Sequence, residues 1–250
     1  MNGYTSDILY HFVGRNRASD HNENYRTLCK ILDTHRVSYP PHDDESCRST
    51  SFIVNWGKSL LSQDLIVPNV TCFCDIPFQH LEIHTSKYGQ FGLGFAKDLL
   101  IYRGARPVIY IPYHPRDRLS PSPYGTYLLD DICQVYKSFE EEVVDKLPVE
   151  EDRVRVLCQP SRTADAAISG MSSVFGKDFL AFIKAYDSTL SDDHPENYYM
   201  EREWRKFLCL TFQPHEVQKV VVPKAYVDRM KNEMPTYRDR IFACPTTGIQ

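Results

Sequence analysis

The pattern of apolar and polar positions predicts strands near both ends of the chain and helices in its middle. Residues 8–13 form a short apolar and aromatic run that ends at Gly14, which is typical of a strand. Residues 24–37 carry apolar side chains three or four positions apart, which indicates an amphipathic helix. The apolar face of this helix comprises Tyr25, Leu28, Ile31 and Leu32.

The remaining segments follow the same two patterns. Further strands are predicted over residues 70–77, 91–95, 107–112, 198–212 and 217–222, the one at 107–112 near a sheet edge because prolines flank it. Further helices are predicted over residues 78–88, 96–103, 175–186 and 225–234, and residues 39–50 read as an exposed loop. Strands at both ends with helices between them indicate an α+β fold. We expect a single domain over residues 1–250, with split small sheets and a helical middle segment at about 120–190.

Composition narrows the class of protein. The chain has 250 residues, a net charge of −4 and an ordinary share of charged residues, 25%. This charge argues against a protein dedicated to duplex DNA, whereas a few local arginines suffice for a substrate with phosphates. Eight irregularly spaced cysteines, no signal-peptide pattern and no apolar run of about 18 residues favour a cytoplasmic protein with free thiols and no membrane partner.

The acidic motif at residues 201–205 is the first candidate site. Strand alternation would place Glu201 and Glu203 on one face, with Trp204 in the core. Two neighbouring carboxylates repel, so one of them gains proton affinity unless a cation such as Arg205 lies close. The alternative is an edge strand whose charges discourage aggregation. Both readings stay open.

Two other segments carry side chains that suit a ligand. His11 lies in the first predicted strand and precedes Arg15, a pattern that allows contact with phosphate or ribose, although a lone histidine in an apolar strand is more often a buried residue with a satisfied partner. Residues 88–95 place aromatic rings beside glycines, which lets a flat ligand approach the backbone. Simple sheet packing is the favoured interpretation for Phe91 and Phe95.

A zinc site is the remaining chemical hypothesis. Cys72 and Cys74 precede His80 and His84, and both residue types bind zinc. However, Cys-x-Cys on a strand lacks the turn that Cys-x2-Cys supplies, so packing of the two thiols is favoured and no metal is expected.

Five segments together resemble a known family. Residues 9–14, 72–77, 88–97, 104–111 and 201–205 are similar to the AbiGi family of bacterial abortive-infection systems, which act against phages and whose members are often labelled antitoxins. The resemblance spans nearly the whole chain, and the middle helical region is its least distinctive part. It implies a role in anti-phage defence.

More remotely, the order of the motifs is similar to that of ADP-ribosyltransferases, which have a His or Arg on the first strand and a Glu, often as Glu-x-Glu, on a late strand. This resemblance implies an ADP-ribosyltransferase-like fold, with Glu203 as catalytic carboxylate, Glu201 as its assistant and His11 in contact with the ribose or phosphates of NAD. It also implies a set of further cofactor-binding residues, namely Arg15, Phe73, Asp75, Tyr88 and Phe91. A fixed carboxylate would stabilise the oxocarbenium-like sugar left when nicotinamide departs.

Three functions follow from these resemblances. The first is a defence effector that uses NAD to modify a protein or a nucleic acid. The second is a non-catalytic antitoxin or sensor that binds a cognate toxin, or another defence-system protein, through the helical middle segment. The third is a nuclease or an NAD glycohydrolase that works from the same acidic pair.

Overall fold

The computed structural model describes residues 6–15, 17–38, 52–58, 65–114, 124–144, 146, 164–192, 194 and 196–245. Contacts within the chain group into two compact units. The first unit comprises residues 1–50, 69–108 and 191–250, and the second comprises residues 51–68 and 109–190. The single domain over residues 1–250 stays a prediction, and the loop predicted at residues 39–50 lies outside the described residues.

The described residues form strands and helices in the following order. The strands are β1 (Ile8–Phe12), β2 (Arg36–Val37), β3 (Phe52–Val54), β4 (Ile66–Pro68), β5 (Val70–Cys74), β6 (Gly92–Ala96), β7 (Arg106–Pro107), β8 (Ile109–Tyr113), β9 (Ile183–Asp187), β10 (Glu203–Phe207), β11 (Leu210–Thr211), β12 (Val217–Val222) and β13 (Ile241–Ala243). The α-helices are α1 (His21–Thr34), α2 (Glu82–Tyr88), α3 (Lys97–Tyr102), α4 (Tyr124–Phe139), α5 (Ala164–Ser173) and α6 (Val227–Glu233).

The first unit is built on a mixed sheet that has seven strands among the described residues, in the order β13-β12-β6-β1-β5-β10-β7. Strands β12 and β13 run parallel, and the other neighbouring strands run antiparallel. The strand predicted over residues 107–112 is divided, because Arg106–Pro107 form the edge strand β7 and Ile109–Tyr113 form β8 in the second unit. The chain is therefore mixed α/β, with one larger mixed sheet and several small ones, as the strand and helix patterns predict.

Both faces of this sheet are buried, and side chains along β1 alternate between them. Leu9 packs with Phe73 in the larger core, whereas Tyr10 and Phe12 pack with Cys74 in the smaller one. Helix α1 covers the larger core with the four residues that its spacing predicts, Tyr25, Leu28, Ile31 and Leu32. Alternation therefore decides which face of the sheet each side chain of the candidate site occupies.

The two glycines of β6 allow β1 to approach closely. A Cβ atom on Gly94 would lie 2.7 Å from Cγ2 of Ile8 and 2.8 Å from the ring of Tyr10. A Cβ atom on Gly92 would lie 2.7 Å from the ring of Phe12. The rings of β1 therefore occupy the space above the glycines and hold the first strand in register.

The second unit contains the small antiparallel pair of β3 and β4 and the parallel pair of β8 and β9. The helix predicted over residues 175–186 is wrong. Residues 174–179 form a wide π-helical turn, Leu180–Phe182 form a 3-10 turn, and β9 follows. Residues 180–183 are buried, and the pairing of β9 with β8 outweighs the helical spacing of the apolar residues.

Three general properties of the described part of the chain bear on the sequence expectations. Of its helices, none combines the length and the hydropathy that a membrane crossing needs. Its cysteines form no disulfide. Residues 164–173, within the helical middle segment predicted at about 120–190, form helix α5.

Candidate functional site

Glu203 is the first residue of β10 and forms an ion pair with Arg205 on the same strand. Nε and Nη2 of Arg205 lie 2.8 Å and 3.3 Å from the two carboxylate oxygens, so the contact is bidentate. Only 9% of the Glu203 side chain and 12% of the Arg205 side chain are exposed. The register pairs Glu203 with Cys74 and Arg205 with Cys72, so the ion pair lies on the cysteine face of the sheet. The prediction that Arg205 neutralises this carboxylate is confirmed.

Glu201 does not belong to the strand, and the expectation that alternation places both glutamates on one strand face is wrong. Residues Tyr198–Glu201 form a 3-10 turn, and Arg202 adopts a left-handed conformation with φ 45° before β10 begins. This backbone reversal cancels the alternation between Glu201 and Glu203. The two carboxylates therefore reach the site from different elements.

Helix α2 provides the groups that bind Glu201. Oε1 of Glu201 lies 2.6 Å from Nζ of Lys87 and also accepts a hydrogen bond from the hydroxyl of Tyr88. The pKa of Tyr88 is raised, first by burial and then by the charge and the hydrogen bond of Glu201. Tyr88 therefore keeps its proton and donates a hydrogen bond to the carboxylate. Nζ of Lys87 also lies 4.1 Å from the centroid of the Tyr198 ring.

Asp75, which follows β5, is held entirely by groups of this protein. Nζ of Lys97 lies 2.8 Å from Oδ2, Nη2 of Arg202 lies 3.9 Å from the same oxygen, and the backbone N–H of Ser6 donates to Oδ1 at 3.0 Å. The backbone N–H of Asp75 donates to the carbonyl of Arg202. These contacts join β5 to the left-handed turn between the two glutamates, which is a structural role. A role of Asp75 in cofactor binding stays a prediction.

Arg15 is exposed and lies within electrostatic reach of both glutamates. Partial burial alone would lower the pKa of its guanidinium, but the neighbouring Tyr88, Cys72, Glu203 and Glu201 favour the charged form, and the net shift is upward. Arg15 therefore stays charged at neutral pH. The structure thus brings together four of the predicted site residues, namely Arg15, Tyr88, Glu201 and Glu203.

His11 lies on the opposite face of the sheet. Tyr10 pairs with Cys74, so the next residue along β1 shares the face of Phe73, and the His11 and Phe73 rings lie 5.9 Å apart at a steep angle. Nδ1 of His11 lies 2.8 Å from the carbonyl oxygen of Cys72 and must donate, because a carbonyl only accepts. Glu203 shares the face of Cys74 instead. The register therefore does not bring His11 and Glu203 to one face.

The burial of His11 predicts a pH dependence of stability. Burial lowers its pKa below the ordinary 6.5, and the hydrogen bond to Cys72 offsets this only in part. The unfolded chain therefore binds a proton at this histidine more strongly than the folded protein does. The contribution of neutral His11 to the free energy of unfolding is complete above pH 6.5 and is lost as the pH falls below it. We expect the free energy of unfolding to fall by at most about 1.4 kcal/mol per pH unit from this residue.

Urea unfolding curves between pH 7.5 and 5.5 measure this slope. His11→Gln should flatten it, although the variant is less stable overall. The matched control is His215→Gln, which removes an exposed histidine of the same unit and should keep the wild-type slope. An unchanged slope in His11→Gln would contradict the assignment.

Phe73 and Phe91 are core residues in this structure. Phe73 is 2% exposed and Phe91 is 0% exposed, and both belong to the larger core. The ring of Phe91 meets those of Tyr25 and Tyr226 edge-on, with centroids 6.2 Å and 5.1 Å apart. Neither ring is open to a ligand, and sheet packing explains both.

The zinc hypothesis gains no support from the geometry. Among the described residues, no group of three or more His, Cys, Asp or Glu side chains is arranged to hold a metal ion. The ring of His84 stacks on that of Tyr88 at 4.5 Å and contacts Phe12 at 5.3 Å. Cys74 is buried, and burial is the main cause of the raised pKa of its thiol.

Gly14 fixes the backbone that presents Arg15. Its N–H donates to the carbonyl of Tyr88 at 2.8 Å, and a Cβ atom at this position would lie 2.5 Å from that same oxygen. Gly14→Ala must therefore push the end of β1 away from α2. We expect a loss of about 1 to 3 kcal/mol in the free energy of unfolding, measured by urea denaturation. Gly57→Ala, where a Cβ meets nothing within 4 Å, is the matched control, and equal losses in the two variants would contradict the close approach.

Three cations of the site have no role in the sequence interpretation, namely Lys87, Lys97 and Arg202. Lys87 is separated from its partner Glu201 by 114 positions, and Lys97 from Asp75 by 22. The sequence does offer one signal for two of these cations, because Lys87 immediately precedes the motif at residues 88–97 and Lys97 ends it. Which carboxylate each cation meets depends on how α2 and β6 pack, and periodicity does not reveal that.

Fold and site together define a mixed α/β protein whose buried carboxylates are held in ion pairs by lysine and arginine side chains. A family model described as "Putative abortive phage resistance protein AbiGi, antitoxin" matches residues 48–240, well over half of the chain. The chain belongs to this family, which confirms the first resemblance. The matched range includes Glu201 and Glu203 but neither His11 nor Arg15. Neither a curated protein nor a solved structure matches the chain significantly.

Proposed function

We propose that this protein acts in abortive phage resistance as an antitoxin, a binding protein that neutralises a cognate toxin. The observation that carries the proposal is the match of residues 48–240 to a family described as an antitoxin of abortive phage resistance. The structure supports a binding role, because the strongest candidates for catalytic carboxylates are engaged with groups of the protein itself.

The exposure of the ion pairs supports the same conclusion. In each pair the cation is more exposed than the carboxylate: 29% against 10% for Lys87 and Glu201, 19% against 7% for Lys97 and Asp75, and 12% against 9% for Arg205 and Glu203. A carboxylate that stabilises a developing positive charge must reach the ligand. Here each carboxylate is less exposed than the cation that pairs with it, so the carboxylates are poorly placed to reach a ligand.

Co-expression with the product of the adjacent gene tests the antitoxin proposal. We expect the two proteins to elute as one complex in gel filtration, and we expect growth arrest by that product to be relieved. Glu203→Gln, which keeps the size of the side chain, should still relieve the arrest. Separate elution together with unrelieved arrest would contradict the proposal.

A second candidate is an NAD-using ADP-ribosyltransferase that modifies a protein or a nucleic acid. It is supported by the cluster that Arg15, Tyr88, Glu201 and Glu203 form, since two carboxylates beside an arginine suit a sugar with a phosphate. Labelled NAD should then transfer its label to a component of infected-cell extract, and Glu203→Gln should abolish the transfer. Equal behaviour of the two proteins would exclude this reading.

A further inference from the structure

Most of the exposed large hydrophobic side chains in the described part of the chain lie in the second unit. They include Trp56 and Phe179, which are each 36% exposed, and Met171, which is 56% exposed. Aromatic residues and methionine are enriched where protein surfaces bind one another. The second unit therefore has the side chains of a protein-binding surface.

These three side chains belong to one continuous row of apolar groups, which we call the aromatic row. The ring centroids of Trp56 and Tyr136 lie 5.3 Å apart, and the row continues from Tyr136 to Phe175 at 5.5 Å. It reaches Phe179, whose ring centroid lies 5.4 Å from that of Phe175. Met171 lies four residues before Phe175 on the same helical stretch, so the two side chains project from the same side. Tyr136 is buried, and the row therefore joins exposed side chains through a packed centre.

The centre of the aromatic row is closely packed. A Cβ atom on Gly176 would lie 2.7 Å from the hydroxyl of Tyr136 and 2.7 Å from the ring of Phe52, so the π-helical turn lies directly against α4 and β3. The hydroxyl of Ser172 donates a hydrogen bond to Glu140, which joins α5 to the end of α4. A surface that is already ordered loses little conformational entropy when a partner docks on it.

The second unit also carries the net charge of the protein. Residues 51–68 and 109–190 include 14 Asp and Glu against 10 Lys and Arg, which gives the −4 of the whole chain, whereas the first unit contains equal numbers of both signs. Part of this acidic charge lies beside the aromatic row, because Glu140 is bonded to Ser172, the neighbour of Met171. The next two side chains, Glu141 and Glu142, are 57% and 70% exposed.

We propose that the toxin docks on the aromatic row and presents apolar side chains surrounded by lysine and arginine. This inference rests on the antitoxin function proposed above and adds the docking surface and the chemistry of the partner. The exposed rings and the methionine supply the apolar centre of such an interface, and the acidic surroundings attract a basic rim. The same charge disfavours two other occupants. A second copy of the chain would bring one acidic unit against another, and a nucleic acid is itself negatively charged.

Calorimetric titration of the full chain with the purified product of the adjacent gene tests the aromatic row. Met171→Asp should raise the dissociation constant at least about tenfold, because it places a charge without a partner in the apolar centre of the interface. Trp56→Ala should raise it as well, because an aromatic anchor is lost. The matched controls lie in the first unit. Ile101→Asp and Tyr102→Ala alter side chains that are 50% and 89% exposed and should stay within about twofold of the wild type.

The acidic surroundings are tested by the rate of association, measured by surface plasmon resonance. Glu141→Gln combined with Glu142→Gln should slow association several-fold and weaken its dependence on salt, because attraction to the basic rim is reduced. The matched control is Asp228→Asn combined with Asp239→Asn, which neutralises two exposed carboxylates of the first unit and should keep the wild-type rate. Equal rates in the two double variants would contradict a basic partner.

Circular dichroism confirms that each variant folds, and gel filtration without toxin measures self-association. If the wild type binds the toxin and Met171→Asp and Trp56→Ala bind it as tightly as their controls, the aromatic row is excluded and the antitoxin proposal stands. A wild-type dimer that Met171→Asp dissociates would also overturn the inference, since a second copy would then occupy the row. No binding by the wild type would contradict the antitoxin function itself, and the docking surface with it.

Discussion

Arg205→Ala is expected to lower the free energy of unfolding by about 3 kcal/mol, because it leaves the carboxylate of Glu203 buried without its bidentate partner. Nε and Nη2 of Arg205 contact both oxygens at 2.8 Å and 3.3 Å, and 9% of the Glu203 side chain is exposed, so water cannot replace them readily. Urea unfolding followed by the fluorescence of Trp204, on the same strand, measures the loss. A Trp56→Phe background removes the other tryptophan signal.

Two control variants separate this effect from a general loss of charge. Arg26→Ala removes an arginine whose ion pair with Glu23 has side chains 79% and 54% exposed, and it should change the free energy of unfolding by less than about 0.5 kcal/mol. The double variant Glu203→Leu with Arg205→Met replaces the pair by apolar side chains of similar size and should recover most of the stability. A loss below about 0.5 kcal/mol in Arg205→Ala would show that the pair behaves like an exposed one.

The expected loss of stability also affects how the activity of Glu203 variants is interpreted. A variant that removes the Glu203 charge disturbs a buried ion pair whether or not Glu203 ever touches a ligand. Loss of activity in Glu203→Gln therefore indicates catalysis only if the stability of that variant is close to that of the wild type. Arg15 gives the cleaner test, because its exposed side chain neutralises no buried carboxylate at short range.

The elements with a clear local pattern are the ones that the sequence predicts well. Apolar runs in residues 8–13 and 217–222 produce β1 and β12, and the spacing of four apolar residues produces the buried face of α1. Asp20 caps the start of helix α1, because its side chain accepts a hydrogen bond from the N–H of Glu23 at 3.1 Å, and the helix ends before His35, which adopts a left-handed conformation. Local chemistry suffices for these elements.

The candidate site depends on features that lie outside local periodicity. Arg202 has a positive φ although it is not a glycine, so the residue type does not predict the turn at this position. Which face His11 and Glu203 occupy depends on the pairing of β1 and β10 with β5, strands far apart in the chain. Alternation alone therefore predicts which residues of one strand share a face, but it does not tell whether two distant strands present theirs to the same side.

Phe95→Ala should be the most destabilising single truncation in the first unit, with an expected loss of about 4 kcal/mol in the free energy of unfolding. Phe95 is 0% exposed and is paired with Leu9 across β6 and β1. The centroid of its ring lies 5.2 Å from that of Phe212 and 6.4 Å from that of Phe73. Truncation opens a cavity in the larger core between the rings of Phe73 and Phe212, and these rings cannot close it without breaking strand register.

The same fluorescence assay measures this loss, and Phe95→Leu should cost much less because it keeps most of the buried volume. Tyr102→Ala, which truncates a ring that is 89% exposed in the same unit, should fall within about 0.5 kcal/mol of the wild type. Since Phe73 is paired with Trp204 across β5 and β10, the cavity should also shift the emission of Trp204 in the folded protein. A Phe95→Ala variant with wild-type stability and emission would show that Phe95, Phe73 and Trp204 do not share the packing described for this face of the sheet.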